Sequence, residues 1–295
     1  MKSVELINTT TKESFILSED SFVYVLETLR WDPVKASQNS VKFTNLIGSR
    51  VTSISLEPRD IYIVGWVVAD DRDEMDQRKK PLNKFINPLQ KYILKYGDYF
   101  LEFYPDSSIQ YGEDYSENNE ILCKFLIQGS CENPLFSLYN KKSADITSLA
   151  KVPVKVFPMV IPQNGGMIFG VTPGVNYATV YNEGDVEVGM IVTMTATYGD
   201  VINPILHREG SSDILKIEID LKQGQTIKLN TTFGNEYLTL VSTDGTETDI
   251  FNRLTKESVL FGFPQGETIL YFEADGNSSN LSYEVDYYPN FLEVE

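Results

Sequence analysis

The stretch Leu215-Lys216-Ile217-Glu218-Ile219-Asp220-Leu221 decides the fold class of this chain. Its apolar residues occupy every second position and charged residues fill the positions between them, which is the pattern of a half-buried β-strand. The same alternation recurs in four other segments of the second half: Val188/Met190/Val192/Met194, Ile227/Leu229, Leu238/Leu240 and Leu281/Tyr283/Val285/Tyr287. Because turn residues such as Asp244-Gly245 and Gly276-Asn277 separate these segments, we predict an antiparallel β-sandwich of about 120 residues.

The first half also indicates β-structure, in strands at residues 4–7, 15–17, 22–26 and 61–68. The last of these places Ile61, Ile63 and Val67 on one face and Tyr62, Val64, Trp66 and Val68 on the other. Because both faces are apolar, we expect a central strand that is covered on both sides.

One helix is expected in the first half, where acids at residues 70–76 precede the basic run Arg78-Lys79-Lys80. This order of charges complements the helix dipole. The apolar pattern continues past Pro81 to Ile86, so the helix either kinks or restarts at Pro81, and it ends at Asn87-Pro88. After the helix, residues 92–96 and 99–104 flank Gly97-Asp98, which predicts a β-hairpin. Residues 107–119 are expected to form a loop and residues 121–131 a strand.

The high density of proline and glycine between Lys141 and Gly174 is typical of a connection between domains. We therefore predict an N-terminal domain at 1–140, and a connecting segment with the C-terminal sandwich at 141–295. Up to residue 150 the chain has 17 basic and 22 acidic residues, and after it 8 basic and 20 acidic.

The composition argues against several classes of function. The net charge of −17 opposes binding to a nucleic acid. The N-terminus has no signal-peptide core and no apolar run reaches the roughly 20 residues of a membrane span, so we expect synthesis in a cytoplasm and no membrane insertion. Cys123 and Cys131 would lie ~26 Å apart in one strand, which predicts reduced core residues.

Candidate catalytic or metal-binding residues are few. His207 is the only histidine and no Gly-x-Ser-x-Gly motif accompanies it, so we expect a surface or loop histidine. The acids at residues 70–76 could bind a cation, but capping of the helix explains them better. Asp244, Glu247 and Asp249 lack the spacing of a calcium loop. We therefore predict no catalytic residue, no metal site and no cofactor.

Several motifs in order along the chain resemble those of siphophage distal tail proteins. In the first half they are Ile47-Gly48-Ser49-Arg50, Arg59-Asp60-Ile61-Tyr62-Ile63-Val64-Gly65, Arg78 with Leu82, Ile86-Asn87-Pro88 and Cys131-Glu132-Asn133-Pro134-Leu135-Phe136. In the second half they are Tyr181-Asn182-Glu183-Gly184-Asp185-Val186-Glu187-Val188-Gly189, Asn203-Pro204, Gly224-Gln225-Thr226-Ile227, and Phe251-Asn252-Arg253-Leu254 followed by Ser258. Each motif is weak alone, and their shared order gives the resemblance its specificity.

The resemblance implies a mainly β protein with a β-sandwich-like N-terminal domain and a galectin-like C-terminal sandwich. It also implies a non-enzymatic structural hub of a tail tip or baseplate, in a phage or a phage-derived particle. Such hubs form a hexameric ring that joins the tail tube to tail-tip proteins and often carries receptor-binding proteins. A carbohydrate-binding module for adhesion to the host surface is the alternative function.

Two further expectations concern where contacts are made. Both tryptophans, Trp31 and Trp66, lie in the first domain, so we expect the C-terminal sandwich to bind free sugars weakly or not at all. Ring assembly is expected within residues 1–140, where the net charge is closer to zero and the hairpin at residues 92–104 is rich in aromatic residues. The alternative reading of that hairpin is that it completes the core of its own domain.

Overall fold

The computed structural model describes residues 3–42, 47–148 and 176–294. Two compact units are present: the first contains Met1–Asn140 and Phe291–Glu295, and the second contains Lys141–Asn290. From residue 149 onward, the predicted connection between Lys141 and Gly174 lies outside the described residues. Within the described ranges, no helix is both long and apolar enough to cross a membrane.

The first unit is built from twelve strands and one helix. In chain order they are β1 (Ser3–Asn8), β2 (Ser14–Ser18), β3 (Tyr24–Trp31), β4 (Ala36–Lys42), β5 (Ser49–Leu56), β6 (Arg59–Val68), α1 (Arg72–Phe85), β7 (Tyr92–Tyr96), β8 (Tyr99–Pro105), β9 (Gln110–Tyr111), β10 (Leu122–Cys131), β11 (Phe136–Leu138) and, at its edge, β24 (Asn290–Phe291).

Ten of these strands form one sheet in the order β24-β11-β8-β7-β1-β2-β3-β6-β10-β9, and β8 also pairs with β10. That extra pairing closes the sheet on itself around a core to which α1 contributes Met75, Leu82 and Phe85. The helix is continuous through Pro81, so it does not restart there. The predicted loop at residues 107–119 contains the short strand β9, which pairs with β10.

The second unit is an antiparallel β-sandwich. Its strands are β12 (Lys142–Ser143), β13 (Asp145–Ser148), β14 (Asn176–Asn182), β15 (Met190–Ala196), β16 (Val201–Arg208), β17 (Ile214–Lys216), β18 (Asp220–Leu221), β19 (Thr226–Asn230), β20 (Tyr237–Val241), β21 (Glu247–Asp249), β22 (Gly266–Gly276) and β23 (Leu281–Tyr287). One sheet has the order β12-β23-β15-β19-β20-β21, and the other β13-β14-β22-β16-β17 with β18 beside β16.

Alternation in the sequence correctly identifies the residues that face this second core. Met190, Val192 and Met194 are all fully buried, and so are Ile227 and Leu229. The predicted single strand at residues 215–221 is instead divided into β17 and β18, because Ile217 bridges to Leu254. The mainly β fold with a C-terminal sandwich is therefore confirmed.

Candidate assembly surface

A β-hairpin formed by β4 and β5, here called the arm, is the most exposed regular structure of the first unit. Pattern reasoning did not predict it. Between the arm and the β3–β6 pair, the backbone ladder is continued by Asp32 N–H to Asp60 O (2.9 Å) and by Glu57 N–H to Lys35 O (2.8 Å). These bonds bridge the break between β3 and β4 and the break between β5 and β6. The arm therefore extends β3 and β6 beyond the sheet.

The two faces of the arm differ in character. Paired residues point to the same side of a hairpin, so the register Ala36↔Leu56, Gln38↔Ile54 and Ser40↔Val51 defines one face and Ser37↔Ser55, Asn39↔Ser53 and Val41↔Arg50 the other. The first face carries Val51, Ile54 and Leu56, which are 46%, 64% and 38% exposed. A two-stranded hairpin is marginal in water unless its apolar face is covered. Within the described residues, the apolar face of the arm is left exposed.

A second apolar surface lies on the sheet formed by β3, β6 and β10. Its residues are only partly buried, and we call it the Trp66 face: Val25, Tyr62, Val64, Trp66, Val68, Leu122 and Leu126. The other side of β6 is fully buried and shares its core with α1. The prediction of a strand covered on both sides is thus wrong for the single chain, in which one apolar face of β6 is left partly exposed.

Two cations lie over the aromatic rings of this face. The Lys124 ammonium lies 5.4 Å from the centre of the Trp66 ring and the Arg30 guanidinium 4.5 Å from that of Tyr62. Lys124 also pairs with Glu27 at 3.3 Å. Lys124 is the cross-strand partner of Trp66 and lies between Leu122 and Leu126, so this cation lies within the apolar set rather than at its edge.

The aromatic hairpin of β7 and β8 contributes mainly to the interior of the first unit. Tyr92, Leu94, Leu101 and Phe103 are buried, and the rings of Tyr92 and Phe103 lie 5.7 Å apart. The Tyr92 hydroxyl accepts a hydrogen bond from the Asn87 backbone N–H at 2.9 Å. The buried face of this hairpin therefore completes the core of its own unit, which is the alternative interpretation given above.

The C-terminal residues hold a buried cation that pattern reasoning did not place. The Arg59 side chain is 0% exposed, its Nη2 donates to the Leu292 carbonyl at 2.6 Å, and Glu293 lies 3.7 Å away. Burial lowers the pKa of Arg59, and the nearby Glu293 carboxylate opposes that shift. Glu293 also accepts a hydrogen bond from the Trp31 indole at 3.0 Å. Nothing in the alternation of residues 290–295 signals these contacts.

His207 lies on β16, on a strand rather than in a loop. Its ring stacks on Tyr271 with centres 5.0 Å apart, and its Nε2 is 3.4 Å from a Glu273 carboxylate oxygen. Tyr177 and His207 pair with Tyr271 from the strands on either side of β22. His207 therefore covers one face of the Tyr271 ring, and the Tyr177 ring lies 6.1 Å away at a tilt of 53°. None of the described contacts of His207 involves a hydroxyl or thiol nucleophile.

The acids that open α1 act as helix caps. Asp71 is the N-cap residue, and its side chain accepts from the Glu74 backbone N–H at 2.8 Å, while Glu74 accepts from the Asp70 N–H at 2.8 Å. This near-reciprocal arrangement resembles a capping box. The capping interpretation of these residues is confirmed.

The acids of the β20–β21 turn also have separate partners. Asp244 accepts from the Thr246 N–H at 2.9 Å, which holds the pKa of that carboxyl below its usual value. Glu247 pairs with Lys228 at 2.8 Å, and Asp249 accepts from the Phe251 N–H at 2.9 Å. Across the described residues, no three His, Cys, Asp or Glu side chains cluster as metal ligands would.

Cys123 and Cys131 lie near the two ends of β10, and both are buried and free, as predicted. Burial raises the pKa of the Cys131 thiol to about 12. A thiol with so high a pKa is not a nucleophile at neutral pH.

Comparison with solved structures identifies chains of the same fold. The chain of the Dit protein of phage SPP1, described as a paradigm of hub adsorption apparatus in phages that infect Gram-positive bacteria, matches with a TM-score of 0.66 at 13% identity, over 98% of this chain and 99% of that one. A chain of the phage P2 baseplate in its calcium-activated conformation matches with a TM-score of 0.54 at 8% identity, over 98% of both chains. At these identities the likeness concerns the fold.

Comparison with curated proteins finds no match. The family model described as the phage tail protein RIFT-related domain matches residues 19–195, which is more than half of the chain. This match and the fold shared with the SPP1 Dit chain confirm the resemblance to siphophage distal tail proteins. The chain belongs to the phage tail protein RIFT-related domain family.

Proposed function

We propose that this protein is a non-enzymatic structural hub of a phage, or phage-derived, tail tip or baseplate. Six copies form a ring through their first units, and the ring joins the tail tube to the tail-tip and host-adsorption proteins. Receptor-binding proteins are the further partners that this role implies, and the protein is then a component of the virion. Membership of a phage tail family and the fold shared with a hub protein and a baseplate chain support this role.

The observation that carries the proposal is the exposed amphipathic arm. Every residue of β5 and all but Ser37 of β4 are exposed, although Val51, Ile54 and Leu56 share one face. A monomer would leave both this face and the Trp66 face in water, at a cost of about 25 cal/mol for each Å² of apolar surface. Repeated contact between copies removes that cost.

Light scattering on the full-length protein tests the proposal. A ring of six copies of the 33.4 kDa chain has a mass near 200 kDa, six times that of the monomer. A monomer at all concentrations up to the millimolar range would contradict the ring. The whole chain is the appropriate sample, because a fragment ending at residue 140 lacks the residues that hold Arg59.

The alternative, a carbohydrate-binding module, is tested separately on a glycan array. Because His207 stacks on one face of the Tyr271 ring and Tyr177 lies beside it, we expect no submillimolar binding of free sugars to the second unit. Submillimolar binding that a Tyr271→Ala change removes would favour the alternative.

A further inference from the structure

We propose that the apolar face of the arm of one copy lies on the Trp66 face of the neighbouring copy. This inference rests on the proposed ring and names the two surfaces that build it. It assigns Val51, Ile54 and Leu56 as the donated contacts, and the sheet around Trp66 as the acceptor.

The arm cannot cover the Trp66 face of its own chain. Its strands continue β3 and β6 end to end through the backbone hydrogen bonds at Asp32–Asp60 and Glu57–Lys35. Folding the arm back over its own sheet would break both bonds and leave their N–H groups without partners. A second copy can supply the acceptor without disturbing this ladder.

The Trp66 face is the surface of the described first unit that best suits the arm. Three adjacent strands, β3, β6 and β10, supply its apolar side chains, so it is wide enough to receive a two-stranded hairpin. Elsewhere in this unit, the exposed residues Phe22, Leu89 and Tyr115 lie outside strands. Ile16 and Tyr104 are single exposed residues of β2 and β8. Scattered residues of that kind are normal on a protein surface and need no partner.

The pairing also explains closure of a ring. Each copy donates an arm at one place and receives an arm at another, so the contact is heterologous. Contacts of this type generate a closed ring when the rotation between copies is an integral fraction of a full turn. Lys124 and Arg30, which lie over the rings of Trp66 and Tyr62, keep the acceptor soluble before assembly.

A pair of cysteines tests the contact directly. Ile54 and Val64 lie ten positions apart along β5 and β6. At about 3.3 Å per residue they are roughly 30 Å apart within one chain, whereas a disulfide needs Cα atoms within about 7 Å. In the Ile54→Cys/Val64→Cys variant, any disulfide between these positions therefore joins two copies. Cys123 and Cys131 are buried, which keeps the background low.

We expect mild oxidation of the double variant to give a series of crosslinked multimers on a non-reducing gel. Neither single variant should give multimers beyond a dimer. Absence of the series, in a double variant that light scattering shows to be oligomeric, would overturn the arm-to-sheet contact and leave the proposed ring intact. A monomeric wild-type protein would instead overturn the ring as well.

Two neighbouring substitutions provide a matched test without crosslinking. Ile54→Glu places a charge on the apolar face of the arm, and Ser53→Glu places the same charge on its polar face. We expect Ile54→Glu to reduce the mass to that of the monomer and Ser53→Glu to keep the oligomer. Neither change should destabilise the fold of a single copy, because both positions are exposed. Equal behaviour of the two variants would overturn the proposal.

Discussion

A methyl group added at Gly65 measures how tightly the first unit is packed. Gly65 lies on β6 opposite Leu26 and Phe125. A Cβ atom there would be 2.5 Å from Phe125 Cζ and 2.6 Å from the Val25 carbonyl oxygen. Carbon atoms in contact normally lie 3.5–4.0 Å apart, so Gly65→Ala requires both the ring and the backbone of β3 to move.

We expect Gly65→Ala to destabilise the first unit by about 1–3 kcal/mol, which is typical of an overfilled core. For a unit of this size each kcal/mol lowers Tm by roughly 2–4 °C, so the expected decrease is about 2–12 °C. Adding Phe125→Leu makes room for the methyl group. The double variant should therefore be less destabilised than the sum of the two single variants.

Tryptophan fluorescence is the appropriate assay, because Trp31 and Trp66 are the only tryptophans and both belong to the first unit. Gly276→Ala in the second unit is the control, since the added Cβ would meet only the Ile202 side chain, at 3.1 Å or more. It should leave the fluorescence transition unchanged. A Gly65→Ala transition within a degree of wild type would refute the packing argument.

Three further predictions concern single groups. Tyr92→Phe leaves the Asn87 N–H without its acceptor and should lower the fluorescence Tm by the equivalent of about 1–3 kcal/mol, whereas Tyr104→Phe, on an exposed side chain, should not. Hydrogen bonds lower the pKa values of Asp200, Asp244 and Asp275. The contribution of these carboxylates to stability is therefore complete above about pH 4 and is lost as the pH falls through the lowered pKa values. Calorimetry at about pH 6 and about pH 3 should show a less stable second unit at the lower pH. Because the acids near Asp71 and Asp244 already cap backbone N–H groups, EDTA should leave Tm unchanged, and a fall of several degrees would identify a bound cation.

Alternation in the sequence was sufficient to assign the faces of the second unit, because each strand of the sandwich has one face toward the core and one toward water. Tyr283 and Tyr287 were correctly placed on the side of Leu281 and Val285 by parity alone. Asn203-Pro204 is an ordinary turn sequence, but both residues lie in β16. Asn203 has a positive φ of 47° and its side-chain amide donates to Asp275, so an irregular strand position accommodates them. The hydrogen bond to Asp275 joins residues 72 positions apart, so no local pattern in the sequence indicates it.

The failures in the first unit have a different cause. In β6, apolar residues on both faces correctly indicated a central strand, but the second face is covered only partly by the chain itself. In the arm, Val51, Ile54 and Leu56 are separated by polar residues, and a bulge opposite Asn39 and Ser40 interrupts their alternation. Neither the apolar content nor a two-residue period therefore marks a strand. Both departures agree with the proposed contact between copies, because in that contact the apolar residues of the arm and of the Trp66 face would lie in the interior of the assembly.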